Sequence, residues 1–238
     1  MTNSTNNTNK LTTKYLKDYK KPDYQILETN LAFEINNNSF TKVTSNLLLT
    51  PSEHVFDNNH KNNIKLPDLV LSGENLELLI LKINNTKISD DYYKLTSEHL
   101  SIDINKLDLK LNSQDNKYFE IEIENIIYPE KNTALTGLYC SNNLYCTQCE
   151  SHGFRRITYY LDRPDVMSVF TTTIIADKKT RPILLSNGNC IKKGDLENNK
   201  HFATWHDPFK KPSYLFALVA GDLAVIKDNF KTISGKNV

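Results

Sequence analysis

Nothing in these 238 residues approaches the run of about 20 apolar residues that spans a bilayer. The start, Met1 to Asn9, is polar throughout and has neither the basic stretch nor the apolar segment of a signal peptide. A cytoplasmic protein with a polar tail over residues 1–20 is the expectation. An excess of one charge is missing too: 29 Lys+Arg stand against 28 Asp+Glu. That balance excludes a dedicated nucleic-acid or membrane-surface binder, which needs a strong basic surplus. Four cysteines are too few for a disulfide scaffold. There is no HExxH, no GxSxG, no GxxxxGK[ST] and no GxGxxG, so local motifs do not make this chain a complete enzyme. Glycine is scarce, and six of the seven glycines lie beyond residue 130, at Gly137, Gly153, Gly188, Gly194, Gly221 and Gly235. Glycine marks tight turns and close backbone approaches, so any site is expected in the second half.

What is present is alternation. In Tyr118–Ile126 the apolar Phe119, Ile121 and Ile123 share one face, and Glu120, Glu122 and Glu124 share the other. A period of two means a strand with one buried and one wet face. Tyr24–Leu27, Leu31–Ile35, Phe40–Leu47 and Leu76–Ile83 read the same way, with Asn36 to Ser39 as a hairpin turn. Further strands are expected at Arg156–Tyr160, Phe170–Asp177, Ile183–Ser186, His201–His206, Tyr214–Ala220 and Val225–Lys231. One short helix is expected near residues 163–169, with Pro164 at its first position and Asp162 as its cap. Short, regularly spaced strands give an all-β sandwich, mostly antiparallel. The last residues, Val225 to Val238, read as a strand, a glycine turn and the start of another strand, so the chain is expected to be cut inside a larger protein.

Cys146-Thr147-Gln148-Cys149 is a lone CxxC, with Cys140 and Cys190 elsewhere. A structural zinc site wants two such pairs, and a thioredoxin-like motif wants a βαβ setting. Free thiols are the plainer reading, with zinc or redox chemistry as alternatives. His201 and His206 are five apart in a strand and fall on opposite faces, which disfavours a metal pair. The densest unusual cluster is Gln148 to Arg156. Glu150, on a loop before Gly153, suits a ligand cation such as a protonated amine. The bland alternative is that Glu150 pairs with Arg155 or Arg156. Tyr159 to Asp165 reads as a structural corner in which Asp162 and Arg163 lock a turn.

Taken in order, Ala134 to Tyr139, Cys146 to Glu150, Gly153 to Asp165, Leu185 to Asn189, Trp205 to Phe209 and Tyr214 to Asp222 resemble the N-terminal domain of bacterial aminopeptidase N. Tyr19 to Ile26 fits as well, and residues 40–115 match more loosely. The resemblance implies a family of zinc metallo-aminopeptidases of the gluzincin clan, which remove single residues from peptide N-termini. It implies a saddle-like β-sandwich over residues 21–223 and the opening of a catalytic domain over residues 224–238. The family's HExxH zinc site and GAMEN motif belong to that second domain and are absent here.

One part of the family's active site does fall within this domain, and it stands here as Gln148-Cys149-Glu150. By resemblance, Gln148 lines the first specificity pocket and Glu150 binds the substrate's free α-amine. The resemblance also implies a cis peptide between Glu150 and Ser151. The implied cofactor is one zinc ion in the full-length parent, with its ligands outside this chain. The implied partners are peptide substrates and the catalytic domain of the same protein, with no nucleic acid and no membrane. The alternative is a stand-alone, non-catalytic β-sandwich binding module derived from that domain.

Overall fold

The computed structural model describes residue 13 and residues 15–36, 40–57, 65–107, 109, 111 and 117–238. The polar tail at residues 1–12 and most of the Asn36-to-Ser39 turn lie outside the described residues. The strands are β1 (Tyr24–Ile35), β2 (Thr41–Pro51), β3 (Leu69–Ser72), β4 (Glu77–Ile83), β5 (Thr86–Lys87), β6 (Tyr93–Leu95), β7 (His99–Ile102) and β8 (Phe119–Ile127) in the first half. The second half adds β9 (Gly137–Ser141), β10 (Leu144–Gln148), β11 (Met167–Asp177), β12 (Ile183–Ser186), β13 (Asn189–Asp195), β14 (Lys200–Pro212) and β15 (Leu218–Gly221). They form an eight-stranded sheet in the order β13-β14-β11-β1-β2-β8-β4-β5, a four-stranded sheet β12-β15-β10-β9 and a three-stranded sheet β3-β7-β6. Among the described residues every strand pair is antiparallel except β1 with β11. The all-β, sandwich-like architecture read from the sequence is the one observed.

The alternation in β8 buries Phe119, Ile121, Ile123 and Ile127. Strand β1 joins the two runs read separately from the sequence. Its buried set changes from Tyr24 and Ile26 to Leu31, Phe33 and Ile35, an even-to-odd change of phase. A register shift between Ile26 and Glu28 against β2 accounts for it, since one extra residue moves every later side chain to the other face. Polar residues also stand at buried positions of the large sheet: Thr29, Ser45, Asn125, Ser168 and Thr172. Most of them hold the segment that follows the candidate site.

Four readings need correction. There is no helix at residues 163–169: Arg163 to Val166 form a turn, closed by the Val166 N–H to the Arg163 carbonyl at 3.3 Å, and β11 begins at Met167. The run Val169, Thr171, Thr172, Thr173, Ile174, Ile175 is β-branched almost throughout and extends naturally into a strand. Among the described residues the α-helix is a short one, α1 (Glu53–Asp57). Arg156–Tyr160 is not a strand. A 3-10 turn occupies Phe154–Arg156, and Tyr160 makes only an isolated antiparallel bridge to Ser72. Tyr214–Ala220 divides into a 3-10 turn at Ser213–Leu215 and then β15. Val225–Lys231 pairs with no sheet, and Ile226 and Phe230 stand exposed; a single bridge joins Lys231 to Asn237.

Candidate functional site

Strand β10 delivers the chain to the loop that holds the candidate residues. Its register against β9 ends on Gln148 opposite Gly137. Tyr145 fixes β10 from the buried side: its hydroxyl donates to the Glu130 carboxylate, and the Arg181 guanidinium lies 4.4 Å from its ring centroid. Beyond Gln148 the alternation continues for two more residues, with Gln148 exposed, Cys149 buried and Glu150 exposed. The buried thiol acts as a peg, and the two flanking side chains face outward on either side of it. The Gln148 side-chain amide donates weakly to the Glu150 carbonyl, at 3.4 Å. The Glu150–Ser151 peptide is cis.

The loop closes tightly at Gly153. Its N–H donates to the Cys149 carbonyl at 2.8 Å. A Cβ here would lie 2.4 Å from the Gln148 carbonyl oxygen and 2.9 Å from the Cys149 Cα, both backbone atoms that cannot swing away. Gly137 meets the loop from the other side at φ +78°, where a Cβ would lie 3.1 Å from the Gly153 carbonyl oxygen. The glycine count of the second half thus has a local meaning: two glycines allow two backbones to touch at the root of this loop.

The outgoing limb is held by charge. Arg155 donates from Nε to Asp162 Oδ2 at 2.9 Å and from its backbone N–H to the same oxygen at 3.3 Å. Ser213 Oγ donates to the other oxygen, Oδ1, at 2.7 Å. The Asp162 side chain is only 1% exposed. Glu74 receives Arg156 Nε at 3.2 Å and stands 3.9 Å from Arg155 Nη1. So Arg155 and Arg156 are occupied by Asp162 and Glu74. The bland pairing of either with Glu150 does not occur, and among the described residues no side chain partners the Glu150 carboxylate. Arg163 likewise pairs not with Asp162 but with Asp165, at 2.7 and 2.8 Å, and holds that carboxyl below its usual range; Tyr19 adds a hydrogen bond at 2.9 Å.

The two cysteines of the CxxC are a poor zinc pair. Cys149 is desolvated, which pushes its thiol up to about 12 and opposes the thiolate that a metal requires. Cys146 stands opposite Tyr139 in the β9–β10 ladder, and the thiol beside it raises the Tyr139 hydroxyl. Among the described residues no three His, Cys, Asp or Glu side chains come together as a metal site. His201 and His206 face different partners, the Arg181 carbonyl at 2.7 Å and Thr171 Oγ1 at 3.0 Å. A cleft of about 730 Å³ lies at the far ends of β1 and β2 beside α1, lined by Tyr19, His54, Phe56 and Tyr118 among others, and neither Gln148 nor Glu150 lines it. Gln148 and Glu150 stand exposed on the surface.

Residues 12–215 match the family described as the Peptidase M1 N-terminal domain. The chain belongs to this family. Aminopeptidase N of Haemophilus influenzae is 44% identical over 225 residues, which are 94% of this chain and 24% of that protein. The solved aminopeptidase A of Legionella pneumophila, in complex with aspartic acid, is 36% identical and superposes with a TM-score of 0.80 over 94% of this chain and 24% of that one. The Deinococcus radiodurans M1 zinc metallopeptidase solved with a Tyr-Ser-Ala substrate shares the fold, with a TM-score of 0.69 at 14% identity over 91% of this chain and 46% of that one. The chain spans about a quarter of the length of the curated relatives it matches. Among the described residues no helix of this M1 domain is long and apolar enough to cross a membrane.

The sequence pointed to Gln148 and Glu150, and to Asp162 only as a turn residue; it did not point to Glu74 and Ser213 or, behind them, to Thr29, Ser45 and Asn125. A signal existed for the last three. Each is a polar residue at a buried phase of a strand, where an apolar side chain is the default.

Proposed function

We propose that this chain is the N-terminal part of a zinc aminopeptidase and supplies the group that recognises the substrate's free α-amine. The observation that carries the reading is Glu150: exposed, unpaired among the described residues, and set on a loop rooted by Gly153 and by the Asp162 ion pair. A carboxylate with no internal partner on a constrained loop is poised for an external cation. An α-amine of pKa about 8 is substantially protonated at neutral pH, and a carboxylate binds it through charge-assisted hydrogen bonds. An internal peptide bond presents an amide in place of the cation and would leave the carboxylate desolvated and unpaired, so this contact selects chain ends. Gln148 is uncharged and, like Glu150, stands exposed next to the buried Cys149. It contributes to the pocket for the first side chain.

The hydrolytic chemistry belongs to the part of the parent that this chain does not include. Zinc, when bound there, supplies a Lewis acid and an activated water. The thiols and imidazoles described above do not fit that role. What this chain does is bind and orient: Glu150 holds the amine, and the distance from that point to the scissile bond limits cleavage to a single residue.

Steady-state kinetics of the full-length enzyme test the reading. A charge-assisted hydrogen bond is worth about 1.5–3 kcal/mol, so Glu150→Gln should lower kcat/KM on free-amine substrates by about 10–150-fold. Gln148→Ala should mainly reorder preference among first residues. Wild-type kcat/KM for Glu150→Gln on such substrates would refute the assignment.

A further inference from the structure

The outgoing limb of the loop that carries Glu150 is bonded to a buried carboxylate of the core. Asp162 accepts from the Arg155 backbone N–H, from Arg155 Nε and from Ser213 Oγ, at 3.3, 2.9 and 2.7 Å. Arg155 Nη2 also donates to the Asp162 carbonyl at 3.2 Å. The four contacts tie together three points distant in sequence. Arg155 begins two residues after Gly153, the closing residue of the loop. Ser213 opens the 3-10 turn that follows β14 and leads to Phe216, whose ring packs on Phe154 with centroids 5.3 Å apart. Asp162 itself follows Tyr160, which is bonded through its hydroxyl to Thr29 at 2.9 Å and through its backbone to Ser72. On the incoming limb Thr147 Oγ1 accepts from the Leu218 N–H at 2.9 Å, and nearer the loop the buried Cys149 is held by packing.

We propose that Asp162 is a positioning residue for Glu150: through Arg155 it fixes the outgoing limb of the loop, and so fixes where the amine-binding carboxylate stands. The proposal rests on the reading of Glu150 given above. It goes beyond that reading because Asp162 is buried and touches no substrate. A buried charge carries a large desolvation penalty unless it is fully paired, so a hydrophobic corner would have served folding at least as well. What the ion pair adds is directional: Arg155 can satisfy Asp162 in one geometry only, with backbone and side chain converging on one oxygen.

The test is a double-mutant cycle in the full-length enzyme, with a second readout on the loop itself. Asp162→Asn keeps the shape and removes the charge. On a free-amine substrate it should lower kcat/KM by about 5–10-fold, chiefly through KM, and in the Glu150→Gln background it should add less than about twofold, because there is no charged anchor left to misplace. Equal losses in both backgrounds would overturn the proposal and assign Asp162 to stability alone. No loss from Glu150→Gln by itself would overturn the amine-anchor reading and this proposal with it. The readout independent of that reading is the alkylation rate of Cys149, resolved by peptide mass spectrometry. It should rise at least about tenfold in Asp162→Asn under conditions where global unfolding is unchanged. An unchanged Cys149 rate shows that Asp162 does not hold the loop. Should Asp162→Asn fail to fold, Ser213→Ala removes one bond to the same carboxylate and should give about a two- to threefold loss with the same non-additivity. Additive behaviour of that variant overturns the proposal equally.

Discussion

Strand β8 and the segment Phe154–Asp162 touch in the core, where Asn125 Nδ2 donates to the Ile157 carbonyl at 3.0 Å, yet they are built on opposite rules. In β8 every second residue is buried, and the backbone bonds run to β2 and β4. In Phe154–Asp162 the buried residues are Phe154, Ile157, Thr158, Tyr159, Tyr160 and Asp162, with no period at all. Beside backbone bonds to Ser72 and Glu74, its polar groups go to individual side chains: Asn125 to Ile157, Ser45 to Thr158 at 3.0 Å, Thr29 to Tyr160 and Arg155 to Asp162. A strand can exchange one apolar residue for another and keep its ladder. The irregular segment depends on individual side chains, and it is the segment that positions the loop of Gln148 and Glu150.

The comparison can be broken most forcefully at Phe154. Its ring is fully buried against Tyr160, Phe170 and Phe216, with centroids 4.7, 6.0 and 5.3 Å away. Phe154→Ala should cost about 3–5 kcal/mol in chemical denaturation, while Ile123→Val in β8 should cost only about 0.5–1.5. Equal and small losses would show that the segment is a covering loop and not part of the core. The next largest effect is expected at Gly153. Gly153→Ala places a Cβ against two backbone atoms and should cost about 1–3 kcal/mol, with faster Cys149 alkylation as the local sign. A stable variant with an unchanged Cys149 rate would mean that the loop root is looser than its contacts imply.

A smaller effect, dependent on pH, is expected just outside both regions. Asp165, beside the corner, is held below its usual range first by Arg163, and Asp177, at the end of β11, is lowered to about 2 by the Thr180 N–H and the Asn199 and Thr180 side chains. A carboxyl depressed in the folded state contributes stability above its unfolded value of about 3.9, and that contribution is lost as pH falls through the folded value. Thermal stability should therefore drop from pH 4 toward pH 2, and Asp177→Asn should flatten that drop. Melting curves of variant and wild type that stay parallel from pH 5 to pH 2 would contradict it.

The same contrast decides what could be read from the sequence. The β8 alternation was plain in the residue order, because burial on one face leaves a period, whereas the register shift that joins the two runs of β1 into one strand was not. At Arg156–Tyr160 apolar residues follow one another without a period, and a strand was the wrong reading for a turn buried on all sides. The helix expected at residues 163–169 failed because Pro164 and Asp162 suit a turn as well as a helix start, and the β-branched run beyond them settles the choice. Glu150 stood out as a carboxylate on a loop before Gly153, and the roles expected of Gln148 and Glu150 came from the resemblance carried by the blocks between Cys146 and Asp165. Asp162 was read only as part of a corner, since its partners Arg155 and Ser213 lie 7 and 51 residues away.

The most direct measurement is a crystal structure of the full-length enzyme with a free amino acid bound. The account predicts a Glu150 carboxylate oxygen about 2.7–2.9 Å from the amine nitrogen. It also predicts the Asp162–Arg155 pair intact behind the loop and Gln148 beside the amino acid's side chain. An amine held by other groups, with Glu150 turned to solvent or paired to an arginine, would contradict it.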